Sequence, residues 1–501
     1  MVEPIVETAQ GKVRGRSGEG VSAFLGIPYA APPVGSRRFR APEPPEAWAG
    51  VRDALAAGPV APQLPSPLET LLGRRELVWD EAGCLTVNVW TPAADGGARP
   101  VMVWVHGGAF LNGSGSVPWY DGSRLARDHD VVVVTLNYRL GALGFLHLAD
   151  VAGEGYEGSG LAGILDQVAA LRWVAENAAA FGGDPGNVTV FGESAGGMSV
   201  GTLLALPAAS GLFHRAVLQS GAGHNAHSRE AADQVTAEFL AAAGLDSSGA
   251  AKLRDLPVEA LLAAQGSIGQ SYASRGLAFQ PVVDGALLPA RPVDGVAAGS
   301  ARDVPVLVGT NLDEWNLFAA ADPKMSGLDE GRLVEIVTGV FSGRDAGAAV
   351  AEYRRTRAGA SPARILAAVT TDSAFRIPAI RLAEAQAAAG GRAWMYLFTW
   401  ATPVFGGRLG SCHALEIPFV FDNLDKPGAE VFVGQDAPAP LAKAMSATWC
   451  GFAREGDPAG GPLGPWPAYE PPTRSTMVLE PGAHVEEDPM GAERALWEGI
   501  R

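Results

Sequence analysis

Seven short apolar runs punctuate the chain: Leu85–Thr91, Val101–Val105, Val131–Leu136, Val188–Phe191, Ala216–Gln219, Val304–Gly309 and Trp394–Phe398. They are rich in Val and bounded by Gly, Pro, Asn or Asp, the pattern of buried strands. Between two of them, the segment from Leu161 to Asn177 repeats its apolar residues at helical spacing. It stops before Phe181-Gly-Gly-Asp-Pro-Gly186, which reads as a turn. The Ala- and Arg-rich stretch from Ala346 to Ala389 reads as helical, and the Pro-rich stretch from Ala41 to Pro67 as a long surface loop. Strands alternating with helices predict an α/β fold, a mostly parallel sheet with helices on both faces. No repeat and no sharp change in composition divides the chain, so one domain with large excursions between strands is the simplest organisation.

Composition narrows the class. Of 501 residues, 47% are apolar and 18% charged, which is a globular balance. The formal charge of −16 argues against a broad nucleic-acid surface, which needs clustered Lys and Arg. The start, Met1 to Gln10, has neither the basic nor the apolar region of a secretory signal. The strongest apolar stretch, Val131–Leu136, falls far short of the ~20 residues of a membrane span. Cys84, Cys412 and Cys450 are odd in number and widely spaced, with no Cys-x-x-Cys. They read as free buried thiols of a reducing cytoplasm, with no disulfide framework and no metal site.

Candidate chemistry gathers at strand ends. Gly-x-Ser-x-Gly occurs twice, as Gly192-Glu-Ser194-Ala-Gly196 and as Gly197-Met-Ser199-Val-Gly201. The run Val188–Phe191 leads straight into Gly192, which puts Ser194 on a strand-to-helix turn and Ser199 one turn into the helix. A nucleophile on such a turn needs small residues two positions to either side. The plain alternative for Ser194 is a helix cap on a Gly-rich turn. Val101–Val105 ends in His106-Gly-Gly-Ala109, where small residues let backbone N–H groups approach an oxyanion. The expected donors are Ala195, Gly108, Ala109 and Gly107. A serine needs a base, and the base needs an acid, in the chain order Ser, Asp/Glu, His. Of eight histidines, those close behind Ser194 leave little room for an intervening strand and acid; His413 and His484 remain. His413 follows the strand Trp394–Phe398 on a Gly-rich loop, whereas His484 lies in a polar stretch that reads as solvated. For the acid, Asp313 and Glu314 both follow the run Val304–Gly309, and position alone does not choose between them.

These residues carry a resemblance. The chain resembles the type-B carboxylesterases over nearly all its length, through Phe24-Leu-Gly-Ile-Pro-Tyr-Ala30, Pro32-Pro-Val-Gly35, His106-Gly-Gly-Ala-Phe110, Asn137-Tyr-Arg139, the segment Phe181–Gly197, Leu218-Gln-Ser-Gly221, Asp313-Glu314, and Cys412-His-Ala-Leu-Glu-Ile-Pro-Phe-Val-Phe421. The resemblance implies an α/β-hydrolase fold over residues 1–501, with helical insertions at roughly 225–280 and 320–390. It implies a cytoplasmic, monomeric esterase of small to medium alkyl or aryl esters, with no cofactor, no nucleic acid and no membrane partner. Its acid matches Glu314, its base His413 and its nucleophile Ser194, while Glu193 and Ser220 match polar positions that support the histidine. Pocket walls implied by it are Phe110, Leu111, Leu317 and Phe318, with Trp119, Trp400 and Phe405 as further aromatics. The acyl pocket would follow Ser220, where His224 and His227 stand in place of bulky apolar groups and suggest a polar acyl moiety. Two departures are Ala82-Gly before Cys84, where acidic residues are common, and Trp315 after the acid, where Gly is usual. Amide, carbamate or lactone hydrolysis on the same triad stays open, as does a relative that keeps the fold without the chemistry.

Overall fold

Consecutive residues of the apolar runs point to opposite sides of one sheet in the computed structural model. It describes residues 3–66, 68, 77–272, 275–341 and 345–500; Met1, Val2 and Pro67, and residues 273–274 and 342–344 within the two expected insertions, lie outside the described residues. The main sheet has eleven strands: β1 Arg16–Gly18, β2 Val21–Pro28, β3 Thr86–Thr91, β4 Arg99–Val105, β5 Val132–Leu136, β6 Gly183–Glu193, β7 Arg215–Gln219, β8 Val306–Asn311, β9 Ala393–Phe398, β10 Ser475–Leu479 and β11 His484–Glu487. Their spatial order is β11-β10-β9-β8-β7-β6-β4-β5-β3-β2-β1. The span from β5 to β10 is parallel throughout, and β1, β2, β3 and β11 are added antiparallel.

The absence of polar alternation now has its cause. In β4, Val101, Val103 and Val105 pack into one apolar cluster, while Met102 and Trp104 pack into another. In β8, Val306 and Val308 face the first and Leu307 the second. A parallel sheet covered on both faces needs apolar residues at every position. Helix α1 (Ala162–Asn177) buries Ile164, Val168, Leu171 and Val174 along one stripe. Helix α2 (Ala195–Ala205) is buried along its whole length.

Three expectations need correction. The turn expected at Phe181–Gly186 is shorter: a 3-10 turn closes at Gly182 in the left-handed region (φ 78°), and β6 already pairs with β4 at Gly183. Pairing lapses until Val188 faces Val101, and Asp184–Asn187 bulge outward with Asp184 Oδ1 accepting from Gly186 N at 2.8 Å. The Ala41–Pro67 stretch is not all surface, since Ala54, Val60 and Ala61 are buried and Val51–Asp53 forms a strand beside Gly11–Arg14. The helical stretch Ala346–Ala389 breaks into α3 (Ala346–Thr356), α4 (Pro362–Thr371) and α5 (Ile377–Ala388), with a π-helical turn, Asp372–Arg376, between the last two.

The parallel register brings the carboxyl ends of β4, β6, β7 and β8 to one level: Val105 faces Gly192, Glu193 faces Gln219, and Gln219 faces Gly309. The approach there is so close that side chains are excluded. A Cβ on Gly196 would stand 2.0 Å from Val105 O, and one on Gly192 2.7 Å from Gly196 C. Both neighbours are backbone and cannot rotate away. Gly196→Ala is therefore expected to destabilise the fold by about 3 kcal/mol or more, the upper range for overpacking. Gly451→Ala, in a helix (Ala439–Glu455) where a Cβ meets nothing within 4 Å, is expected to raise the melting temperature slightly, Ala being the better helix former. Thermal denaturation of the two variants checks the contrast; equal shifts would mean that the strand–helix approach is not tight.

Candidate active site

Ser194 lies between the last residue of β6 and the first of α2 with φ 55° and ψ −125°. Such a conformation costs a non-glycine residue about 1–3 kcal/mol and persists only where its surroundings impose it. Here Ser194 N donates to Gln219 O at 2.9 Å, and Ser194 O accepts from Met198 N at 2.8 Å. Gly221 lets the turn approach β7, since a Cβ there would stand 2.4 Å from Ser194 O. Between Val188 and Leu206, Ser194 alone is partly exposed. Ser199, the other motif serine, is buried inside α2 and accepts from Gln167 Nε2 at 3.0 Å.

His413 and Glu314 meet behind it. His413 Nδ1 lies 2.6 Å from Glu314 Oε2. A carboxylate oxygen accepts, so Nδ1 carries the proton and Nε2 is the free basic atom. Glu314 is fully buried, its other oxygen accepts from Asn311 N at 2.7 Å, and its carbonyl accepts from His413 N at 3.3 Å. Of the two neighbouring carboxylates, Glu314 is the one that meets the imidazole. Asp313 turns instead to the loop before His413, accepting from Ser411 N at 3.0 Å through Oδ2 and donating its own N–H to Ser411 O at 2.8 Å. His413 Nε2 faces Glu193 Oε1 at 3.0 Å, out of line for a hydrogen bond. No hydrogen bond among the described residues joins Nε2 to Ser194 Oγ, a spacing that commonly tightens only once substrate is bound. His484, the alternative base, is exposed on β11.

The site is rich in buried negative charge. Burial alone would push the His413 imidazole down, but the Glu193 and Glu314 carboxylates outweigh it and the pKa is raised. Burial pushes Glu193 up, partly countered by His413. A third carboxyl, Glu416, is fully buried and also raised by burial. It accepts from Gln219 Nε2 at 3.0 Å and from Asn311 Nδ2 at 2.6 Å. The sequence held a sign of it, one acid inside the apolar run Ala414-Leu-Glu-Ile-Pro-Phe-Val-Phe421.

The glycine-rich loop after β4 reaches the same place. A Cβ on Gly107 would stand 2.8 Å from Glu193 Oε2 and 3.0 Å from Ser194 Cβ. Gly108 and Ala109 follow at positive φ (115° and 55°), and no hydrogen bond among the described residues uses the N–H of Gly107, Gly108 or Ala109. Ala195, the first residue of α2, has no intrahelical acceptor for its N–H.

The expected pocket residues divide. The Phe318 ring lies 5.2 Å from the His413 ring and 4.8 Å from Trp315. Leu111 is partly buried against the core, Phe110 is enclosed against Phe145, and Leu317 is enclosed in the second apolar cluster. His227 lies 3.1 Å from Ala278 O and takes a hydrogen bond from Gln280. Burial, then Arg381, pushes His224 down to about 4. No hydrogen bond or ring contact among the described residues links either histidine to Ser194 or His413. Trp119 packs on Phe432 and Trp400 on Phe419, while Phe405 is exposed. Ser220 is buried at φ 47°, its N–H on Gly309 O at 2.8 Å. Phe375, which the sequence reading missed, lies 4.8 Å from the His413 ring. It projects from the π-helical turn, a local geometry with no periodic signature. The cluster with metal-ligand spacing among the described residues, His147, Asp150 and Asp233, is closed by Arg229 Nε on Asp150 at 2.7 Å. All three cysteines are free and buried, and no helix among the described residues is long and apolar enough to cross a membrane.

Comparison with known proteins identifies the family. The model of the carboxylesterase family matches residues 2–497. The para-nitrobenzyl esterase of Bacillus subtilis (strain 168) is 42% identical over 99% of this chain and 98% of its own length. The phenmedipham hydrolase of Pseudarthrobacter oxydans is 38% identical over 97% of each. Among solved structures, a carboxylesterase of Geobacillus stearothermophilus superposes with a TM-score of 0.89 at 46% identity, covering 98% of this chain and 99% of that one.

A base must be neutral to accept a proton, so a raised His413 pKa moves the acid limb of the activity profile to higher pH. Glu193→Gln removes the negative charge that most opposes deprotonation. Its acid limb in kcat/KM is expected at lower pH than in the wild type, in a pH series with an uncharged ester. A limb that stays in place or moves up would mean that Glu193 does not act on His413 as a charge.

Proposed function

The chain belongs to the carboxylesterase family and is a serine hydrolase of alkyl and aryl carboxylic esters, and on that premise we propose the role of each residue. Ser194 Oγ attacks the ester carbonyl while His413 Nε2 takes its proton. Glu314 holds the imidazole tautomer and stabilises the imidazolium that forms. The N–H groups of Gly107, Gly108, Ala109 and Ala195 receive the oxyanion. His413 then protonates the departing alkoxide, and water repeats the cycle on the acyl-enzyme. The observation that carries this reading is the buried His413 Nδ1 to Glu314 Oε2 contact of 2.6 Å, standing beside a serine held at positive φ.

Pocket chemistry favours small to medium esters. Phe318 and Phe375 line one side of the imidazole and offer apolar area to an alkyl or aryl group. All the groups in this reading come from one chain, so a single copy suffices for the proposed chemistry. The free buried thiols support a reducing, cytoplasmic setting. The mechanism asks for no cofactor.

Hydrolysis of p-nitrophenyl acetate, butyrate and octanoate by three proteins tests the assignment. Ser194→Ala is expected to lose about four orders of magnitude or more in kcat, and Glu314→Gln about four, with Asp313→Asn far milder. Full turnover by Ser194→Ala would displace the nucleophile to another serine. A loss in Asp313→Asn matching that of Glu314→Gln would undo the choice of acid.

A further inference from the structure

His106 is buried, next to the oxyanion glycines, and its chemistry is not used by the triad. Its ring stacks on Tyr138 with centroids 4.5 Å apart. Its Nδ1 lies 2.8 Å from the carbonyl oxygen of Gly107. A carbonyl can only accept, so Nδ1 bears the hydrogen and donates. Burial pushes the pKa down to about 4, so the ring is neutral and this is its single N–H. Nε2 has no hydrogen-bond partner among the described residues. Gly113 makes room for the contact, because a Cβ there would stand 2.4 Å from Gly107 O and 2.5 Å from His106 Nδ1.

We propose that His106 is a positioning residue for ester hydrolysis, its Nδ1–H holding the Gly107 carbonyl so that the Gly108 N–H stays aimed at the developing oxyanion. In a trans peptide the C=O and the following N–H point in opposite directions. Fixing the oxygen of one peptide fixes the N–H of the next residue on the other side. The same device occurs three times in succession. Tyr138 Oη donates to His106 O at 2.9 Å, which orients the Gly107 N–H. His106 holds Gly107 O, which orients the Gly108 N–H. Leu111 N and Asn112 N donate to Gly108 O at 2.9 and 3.0 Å, which orients the Ala109 N–H. Further along, Gly141 N holds Phe110 O at 2.6 Å. Gln63 clamps Gly113 from both sides, Nε2 on its carbonyl at 3.0 Å and Oε1 on its N–H at 2.9 Å. The carbonyls of His106, Gly107 and Gly108 are thus all held, while the N–H groups of Gly107, Gly108 and Ala109 stay unspent among the described residues. Electrostatic stabilisation of this kind depends on donors that need no reorganisation when charge appears.

The inference rests on the oxyanion reading above, and the test separates the two. Asn places an amide donor near the position of His Nδ1, Gln places its amide near Nε2, and Phe keeps a ring with no donor. With p-nitrophenyl butyrate, His106→Asn is expected to keep kcat within about fivefold, while His106→Gln and His106→Phe lose about 10²-fold in kcat with KM changed less than about threefold. Inhibition by an aryl trifluoromethyl ketone, whose serine adduct carries an oxyanion, should weaken in step with kcat. Tyr138→Phe, which keeps the stack and loses one hydroxyl, provides a milder loss of the same kind should the ring variants fold poorly. The proposal is overturned by undiminished kcat in folded His106→Phe and Tyr138→Phe, or by equal losses in His106→Asn, His106→Gln and His106→Phe. Ser194→Ala, assayed alongside, separates the failures: a dead serine variant beside a flat His106 series sinks this inference alone, and a live one sinks the oxyanion reading as well.

Discussion

Three carboxyl groups and one imidazole are buried together at the strand ends, and the rest of the site follows from that imbalance. Glu193, Glu314 and Glu416 are each at most 4% exposed, with His413 at 5%. Isolated charges in such surroundings would be prohibitive, so part of the cluster must hold protons or share them. The groups acting on Glu193 and Glu416 include other carboxylates, and His413 is the one cation among them. The cluster therefore favours an imidazolium. In the proposed mechanism that is the state His413 enters when it takes the serine proton, so the same field that raises its resting pKa would stabilise the charge-separated transition state. The arrangement trades readiness of the base at low pH for stabilisation of the charged histidine during attack.

The charge separation of the proposed mechanism has two ends, and the sheet positions both. The positive end forms at His413, on the loop beyond β9, beside Glu314 beyond β8. The negative end forms between the loop after β4 and the start of α2. These elements lie at one level because β4, β6, β7, β8 and β9 run parallel in register, which is the general place for a site in an open α/β sheet. What holds the two ends at the right separation is backbone against backbone. Gly192, Gly196 and Gly107 sit where any Cβ would meet main-chain atoms of the neighbouring strand end. Relative placement of donors and base is thus set by steric contact that cannot relax by a rotamer change.

Much of this was legible in the chain because the fold buries both faces of its central strands. Continuous Val-rich runs admit few other readings at that length, and each of the seven corresponds to a strand. Ser194 was separable from Ser199 because a strand leads straight into the first motif, and only the second lies inside a helix. Other features were hidden for identifiable reasons. Asp313 and Glu314 are neighbours of like chemistry, and only the fold shows that one anchors Ser411 while the other faces His413. Phe375 reaches the imidazole from a π-helical turn, where an extra residue per turn breaks the spacing that pattern reading relies on. The stretch Gly183–Gly186 looked like pure turn because Gly and Pro usually punctuate; here Gly183 already pairs and the rest bulges. His227, close behind Ser194 in sequence, bonds to Ala278 and Gln280, contacts that the sequence does not announce.

The oxyanion loop illustrates how a catalytic surface can be built from what the chain leaves unsatisfied. Buried N–H groups normally find acceptors, and an orphan donor is costly. A loop that spent both sides of each peptide internally would be more stable and unable to bind an oxyanion. Here the carbonyls of His106, Gly107 and Gly108 accept from Tyr138, from His106 and from the loop's own Leu111 and Asn112 amides, while the N–H groups of Gly107, Gly108 and Ala109 carry no bond among the described residues. Saturating one side holds the other side in place, so that in the proposed mechanism the substrate oxygen meets donors already aimed at it. A free loop with the same glycines would have equal numbers of donors, yet it would have to order them at the moment of reaction. In the proposed mechanism these amides hold the oxyanion more strongly than the neutral carbonyl it forms from, which is the condition for an interaction to lower the barrier and not merely to tighten substrate binding.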